Sequence, residues 1–166
     1  CQPVIDAYRS LQPLPAKTKV VLTSPAGKPF THNMAVEWVN SAEQLVILCG
    51  HYEGFDHRIF SLIPEIEEVS IGDFVVTGGE LPALLMLDAV SRLVEGCVQA
   101  KESVEQDSFY NGLLDFPHYT KPATFEGIPV PPVLLSGNHT EINRWRTEQA
   151  LLRTRTMRPD LYQSKD

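Results

Sequence analysis

Ser70-Ile71-Gly72-Asp73-Phe74-Val75-Val76-Thr77-Gly78-Gly79-Glu80-Leu81-Pro82 reads as a short apolar strand, Phe74 to Val76, bracketed by glycines and followed directly by a helix. Glycines at both strand ends let backbone approach backbone, or a ligand, more closely than any side chain would permit. Pro82 suits a first helical turn, where an amide hydrogen has no partner and a fixed φ is already helical. Strand, glycine turn and helix in that order make a small-molecule site built from main-chain groups. A purely structural turn is the competing reading for an isolated Gly-Gly pair.

Two other stretches repeat the layout. Lys19 to Leu22 and Leu45 to Cys49 are continuous apolar runs bounded by polar residues, Pro or Gly, the pattern of strands buried on both faces of a parallel sheet. His32 to Asn40 between them has helical spacing at Met34, Ala35, Trp38 and Val39, with Asn33 and Ser41 as its expected boundaries. A helix over Pro3 to Leu11 precedes them, so helices and strands alternate in an α/β order. The turns Ser24-Pro25-Ala26-Gly27, Gly50-His51-Tyr52-Glu53-Gly54 and Gly72 to Gly79 are expected to converge beyond the carboxyl ends of the strands. Neither G-x-G-x-x-G, nor G-K-[ST], nor G-x-S-x-G occurs. Main-chain recognition of a planar, uncharged group such as adenine is therefore favoured over a phosphate cradle.

Leu81 to Val94 is apolar around most of its circumference and is expected to be a central helix packed on several sides, with Asp88 and Arg92 four apart and able to pair. Composition changes after Gly96. Gln99 to Asp107 is polar and reads as a linker or loop, and Pro117, Pro122, Pro129, Pro131 and Pro132 then punctuate an extended stretch. A last helix runs from Asn138, at capping-box spacing from Glu141, to about Met157, with Trp145, Leu151 and Leu152 to bury. The domains so read are 1–98, an α/β domain; 99–112, a linker; and 113–166, a small helical domain.

The 166 residues are 43% hydrophobic, enough for a real core, and no apolar run reaches bilayer length. Cys1, Cys49 and Cys97 form no C-x-x-C pair, which fits a reducing cytoplasm better than a disulfide framework or thiolate zinc site. The chain opens on Cys inside a helix and without a signal-peptide pattern, so its N-terminal part is expected to be missing. The net charge of −7 argues against a nonspecific nucleic-acid binder. Arg144, Arg146, Arg153, Arg155 and Arg158 nevertheless cluster in the tail; a local grip on a polyanion is open to them, though charge alone favours an ordinary solvated face. His51, Asp56 and His57 lack the helical spacing of a metal site; capping by Asp56 and polar surface for the histidines fit them better, so no metal is indicated. An Asp such as Asp107 in a polar linker is usually a helix N-cap or plain surface; loops that close on substrates also carry general bases, and spacing alone does not decide.

The segments C-G-H-Y-E-G-F-D-x-R (Cys49 to Arg58), Ser70 to Pro82, Glu105-Gln106-Asp107-Ser108-Phe109 and P-P-V-L-L-S-G-N-H (Pro131 to His139) together resemble the bacterial tRNA (guanine-N1)-methyltransferase family, the TrmD type of the SPOUT superfamily. The resemblance covers nearly the whole chain, in order. It implies a deep trefoil-knotted parallel α/β sheet with a small C-terminal tRNA-binding domain, and a cytoplasmic homodimer that shares its active site. It also implies S-adenosyl-L-methionine as cosubstrate, with methyl transfer to N1 of the guanosine at tRNA position 37. The implied cosubstrate pocket is Leu22, Ser24, Pro25, Gly50, Tyr52, Glu53, Ser70, Ile71, Gly72, Phe74, Val76, Thr77, Gly78, Gly79 and Pro82. Asp107 matches the family's general base and Arg92 the arginine that helps place the guanine. Phe74 stands where the family often has Tyr, and Thr77 where it often has Ser. Two alternatives remain open: a fragment that binds nucleotide or RNA without turnover, and a related knotted methyltransferase acting on another RNA base.

Overall fold

Alternate residues of a single strand hold the first part of the chain together. In β1 (Thr18–Pro29), Val20 and Leu22 face one layer of helices and Val21 faces the other, all three buried. A computed structural model describes residues 2–97 and 107–163 of the chain, which divides into two units, Cys1–Gln99 and Ala100–Asp166.

In the first unit the order is α1 (Gln2–Ser10), β1, α2 (His32–Ser41), β2 (Gln44–Leu48), α3 (Ile59–Leu62), β3 (Ile66–Ser70) and α4 (Glu80–Ser91). The strands are parallel in the order β2-β1-β3, with Val20 opposite both Val46 and Ile66. Central β1 is therefore covered on both faces, as its unbroken apolar run requires. On one face Val20 and Leu22 pack with Ile5 and Tyr8 of α1 and with Ile59 and Ile63. On the other, Val21 and Val69 pack with Ala35 and Trp38 of α2 and Met86 and Val90 of α4. The expected α/β alternation and parallel sheet are both present.

Several local expectations change. Phe74 to Val76 is not a strand. The third strand ends at Ser70, whose Oγ accepts from the Gly72 amide and donates to the Gly72 carbonyl, and Gly72 turns the chain at a φ of +144°. Phe74 and Val75 are consequently exposed rather than laddered. The apolar run at 74–76 misled because Ile66-Glu67-Glu68-Val69, the real strand, carries two carboxylates. Helix α2 is capped by Thr31, which accepts from the Met34 amide, and not by Asn33. Helix α4 is not packed on several sides: Pro82, Ala83, Met86 and Val90 are buried, while Leu81, Leu84, Leu85 and Leu87 lie open.

In the second unit, β4 (Thr124–Phe125) and β5 (Ile128–Pro129) form a short hairpin. They are followed by α5 (Pro132–Leu135), α6 (His139–Met157) and α7 (Pro159–Gln163). The hairpin and the turn of helix opened by Pro132 replace part of the extended stretch expected from the prolines, since Pro at a helix start costs no hydrogen bond. Asn138 caps α6 by accepting from the Glu141 amide, as its spacing predicts. Leu151 and Leu152 do not supply that helix's core. Its buried residues are Ile142 and Thr154, and the Thr154 hydroxyl accepts from the Leu114 amide and donates to the Ala150 carbonyl. The linker expected from residue 99 lies outside the described residues as far as 106, and 107–112 forms turns.

Candidate functional site

At the irregularity in β1 between Thr23 and Lys28, and beyond the carboxyl ends of β2 and β3, the chain forms glycine-containing segments that meet. The Gly79 amide donates to the Gly50 carbonyl at 2.8 Å, and His51 pairs with Gly78 in an antiparallel bridge. A Cβ on Gly79 would lie 2.2 Å from Thr23 Oγ1, 2.8 Å from Cys49 Cα and 2.8 Å from the Gly50 nitrogen. Residues from all three strand ends therefore converge on one point that only glycine can occupy. In the middle loop Tyr52 holds a left-handed φ of +55° with its ring fully exposed, and the Gly54 amide closes that turn on the His51 carbonyl. Such a backbone is uncommon for a bulky residue.

Together the loops surround a cavity of about 350 Å³. All fifteen residues that the resemblance implies for the cosubstrate, from Leu22 to Pro82, line it. Its lining also includes Gly54 and Val75, which lie in the turns expected to converge, and Thr23, Phe55, His57, Phe60, Glu68 and Val69, which sequence reasoning did not assign to it. Phe55 and Phe60 follow the Gly50–Gly54 turn directly, so their apolar spacing after a glycine turn was the available signal. Phe74 closes over Gly72, where a Cβ would come 2.7 Å from the ring. Aromatic faces beside unobstructed main chain suit a planar, uncharged group. The turns at Gly50–Gly54 and Gly72–Gly79 converge as expected, whereas Ser24-Pro25-Ala26-Gly27 lies inside β1 at the register shift between Thr23 and Lys28, from which Ser24 and Pro25 reach the cavity.

Several charged groups beside the cavity, though not lining it, are engaged. His51 Nε2 lies 2.5 Å from Glu80 Oε1, and the Glu80 carboxyl is held below the ordinary glutamate value by its own backbone amide and by His51. Asp56 accepts from the Arg58 amide and side chain, both at 2.9 Å, and these bonds hold its carboxyl well below the usual range. Burial first, then the Glu80 charge, pushes the Cys49 thiol up. Among the described residues no group of three or more His, Cys, Asp or Glu side chains is arranged to hold a metal ion, and no helix is long and apolar enough to cross a membrane.

The two other candidate residues fall in different units. Arg92 caps the C-terminus of α4 in the first, and its amide donates to the Asp88 carbonyl. Asp107 sits half-buried in a turn of the second, its carbonyl accepting from the Tyr110 amide. In that second unit the clustered arginines each have an internal partner. Arg144 pairs with Glu148 at 3.0 Å, Arg153 donates to the Asp115 carbonyl and Arg158 pairs with Asp160. Arg146 lies over the Phe116 ring and Arg155 over Tyr162. Two of these five charges, those of Arg144 and Arg158, are thus paired with carboxylates within the unit, while Arg146, Arg153 and Arg155 meet rings or a carbonyl instead.

Comparison with known proteins gives this geometry a context. The family model described as tRNA (Guanine-1)-methyltransferase TrmD matches residues 1–164. A tRNA (guanine-N(1)-)-methyltransferase of Ruminiclostridium cellulolyticum is 52% identical over 163 residues, covering 98% of this chain and 69% of its own length. One from an Exiguobacterium species is 55% identical over 161 residues (96% and 66%), and one from Desulfitobacterium hafniense is 52% identical over 161 residues (97% and 60%). The chain thus spans roughly two thirds of the length of these relatives. With the family model matched over residues 1–164 and overall identities of 52% and 55% to these relatives, the chain belongs to the tRNA (guanine-N1)-methyltransferase family, the TrmD type of the SPOUT superfamily.

Proposed function

We propose that this chain carries the donor pocket and the reacting residues of an S-adenosyl-L-methionine-dependent methyltransferase that modifies N1 of the guanosine at tRNA position 37. The observation that carries the reading is the single cavity lined by every residue the resemblance implies for the cosubstrate. Bound there, S-adenosyl-L-methionine supplies an electrophilic methyl group. Main-chain groups between Ser70 and Gly79 would read the adenine edge, with Phe55, Phe60 and Phe74 offering apolar faces. Their arrangement is held by close packing at Gly72 and Gly79, where a Cβ would collide with its neighbours.

Guanine N1 is a poor nucleophile while it holds its proton. The Asp107 carboxylate takes that proton as the N1–methyl bond forms and the sulfur–methyl bond breaks, and Arg92 balances negative charge growing on O6. Positioning supplies much of the rest. Transfer of labelled methyl to unmodified tRNA by the full-length protein tests the assignment. Asp107→Asn is expected to lower that transfer at least a hundredfold with cosubstrate binding intact; transfer at the parent's rate refutes the role.

The reading brings with it the threaded SPOUT chain path, the division at 1–98, 99–112 and 113–166, a cytoplasmic location and a homodimer. The dimer is supported by α4. Leu81, Leu84 and Leu85 are 59%, 60% and 59% exposed, and helical spacing sets Asp88 and Arg92 on the same stripe. A second chain covering that stripe would meet Arg92 at its end, consistent with a site shared between subunits.

The chain's length favours a second reading, since it spans as little as 60% of a relative: a piece that binds nucleotide or RNA without turnover. Calorimetry showing cosubstrate binding by this chain with no methyl transfer supports it, and turnover excludes it. Mass-spectrometric mapping of the modified nucleotide separates position 37 from any other RNA base.

A further inference from the structure

We propose that His51 and Glu80 are positioning residues that clamp the glycine loop shut from outside the donor pocket. The inference rests on the assignment of that cavity to the methyl donor. Neither side chain lines the cavity. Both are more than half exposed, yet they join two of its walls, the loop after β2 and the start of α4, at 2.5 Å.

Their placement around Gly78 gives the contact its role. A Cβ on Gly78 would lie 2.6 Å from Glu80 Oε2 and 3.1 Å from His51 Cε1, so the paired side chains pack together against one face of Gly78. Two backbone ties run beside them, the His51–Gly78 bridge and the bond from the Gly79 amide to the Gly50 carbonyl. Gly50, Gly78 and Gly79 all line the cavity, so anything that frees this crossing frees its wall.

Glu80 is a preset acceptor. It is the first residue of α4, and a hydrogen bond from its own amide contributes most to holding its carboxyl in the charged form. An exposed pair contributes little to global stability. A pair that orders a glycine segment can still change ligand affinity, because glycine loses more conformational freedom on ordering than any other residue.

The test is a comparison of full-length parent, His51→Ala, Glu80→Ala, the double variant and His51→Gln, which keeps a neutral donor. Calorimetry with S-adenosyl-L-methionine is expected to show each alanine variant about three- to tenfold weaker, the double variant no weaker than either single, and His51→Gln recovering most of the loss. The KM for the donor should rise with kcat and the KM for tRNA unmoved. Amide exchange at Gly78 and Gly79 should quicken in His51→Ala, with protection elsewhere in the sheet unchanged. Parent-like affinity in the alanine variants, additive losses in the double variant, or unchanged exchange at Gly78 and Gly79 would overturn the clamp. Failure of the parent itself to bind donor would instead refute the pocket assignment, and quickened exchange would still identify the clamp.

Discussion

Gly79→Ala tests whether the convergence of the strand ends is as tight as it looks. The backbone at Gly79 has φ −75° and ψ −9°, which any residue adopts, so the substitution carries no conformational strain. What it carries is contact. Thr23 Oγ1, at 2.2 Å from the new methyl, can rotate, though doing so gives up its bond to the Leu48 carbonyl. Cys49 Cα and the Gly50 nitrogen, both at 2.8 Å, are main chain and have to retreat by about 0.6 Å to reach ordinary contact. Overpacking of this kind costs about 1–3 kcal/mol. At about 2 kcal/mol the unfolding equilibrium shifts roughly 30-fold, and the melting temperature of a unit this size falls by about 8–16 °C. The assay is urea unfolding followed by Trp38 fluorescence in a Trp145→Phe background, since the chain's two tryptophans lie in different units. Adding Thr23→Ala should restore only part of the loss, because the backbone contacts remain. An unfolding midpoint equal to the parent's, or complete rescue by Thr23→Ala, would refute the reasoning.

Three further outcomes are expected. Thr154→Val removes the acceptor for the Leu114 amide inside the second unit and should cost about 1–3 kcal/mol, measured by denaturant unfolding of that unit through Trp145; a loss below about 0.5 kcal/mol would contradict it. Alkylation with iodoacetamide near neutral pH should label exposed Cys97 well before Cys49, whose thiol is pushed up by burial, as peptide mass mapping would reveal. The carboxyls of Asp56 and Glu80 lie below their ordinary values when folded, so the unfolded chain takes up protons first. Their contribution to stability is present above about pH 5 and fades as the pH falls through the ordinary carboxylate range. Asp56→Asn and Glu80→Gln should each lose less stability than the parent between pH 7 and pH 3, and equal losses would contradict the assignment.

The sheet was legible because Val20 to Leu22 and Leu45 to Cys49 are apolar without interruption, the pattern of strands covered on both faces. The third strand was misplaced for the converse reason. Glu67 and Glu68 broke the apolar signal of β3, Glu67 being paired with Lys19 across the sheet, while Phe74-Val75-Val76 mimicked a strand in a segment that crosses an open cavity. The capping pattern at Asn138 was local and therefore readable. The bond from Leu114 to Thr154 joins residues forty apart and left no local trace. The exposed leucines of α4 illustrate the same limit, because composition reports how apolar a helix is and not which chain covers it. The resemblance gave the cosubstrate residues their common purpose; the glycine spacing alone predicted only that something planar could approach.

A wall made of main chain has a consequence for any inhibitor that occupies the cavity between Ser70 and Gly79. Only replacement by proline deletes a peptide N–H, and no substitution deletes a C=O, so resistance by removal of a binding contact is narrowed to that one change along that wall. What remains is substitution that fills the space, and at Gly72 or Gly79 the added Cβ would collide with its neighbours before it reached a ligand. Escape would therefore fall on the aromatic faces of Phe55, Phe60 and Phe74, whose replacement alters shape rather than hydrogen bonding. Compounds that spend their polar groups on the glycine segment and little of their area on those rings leave mutation the fewest routes.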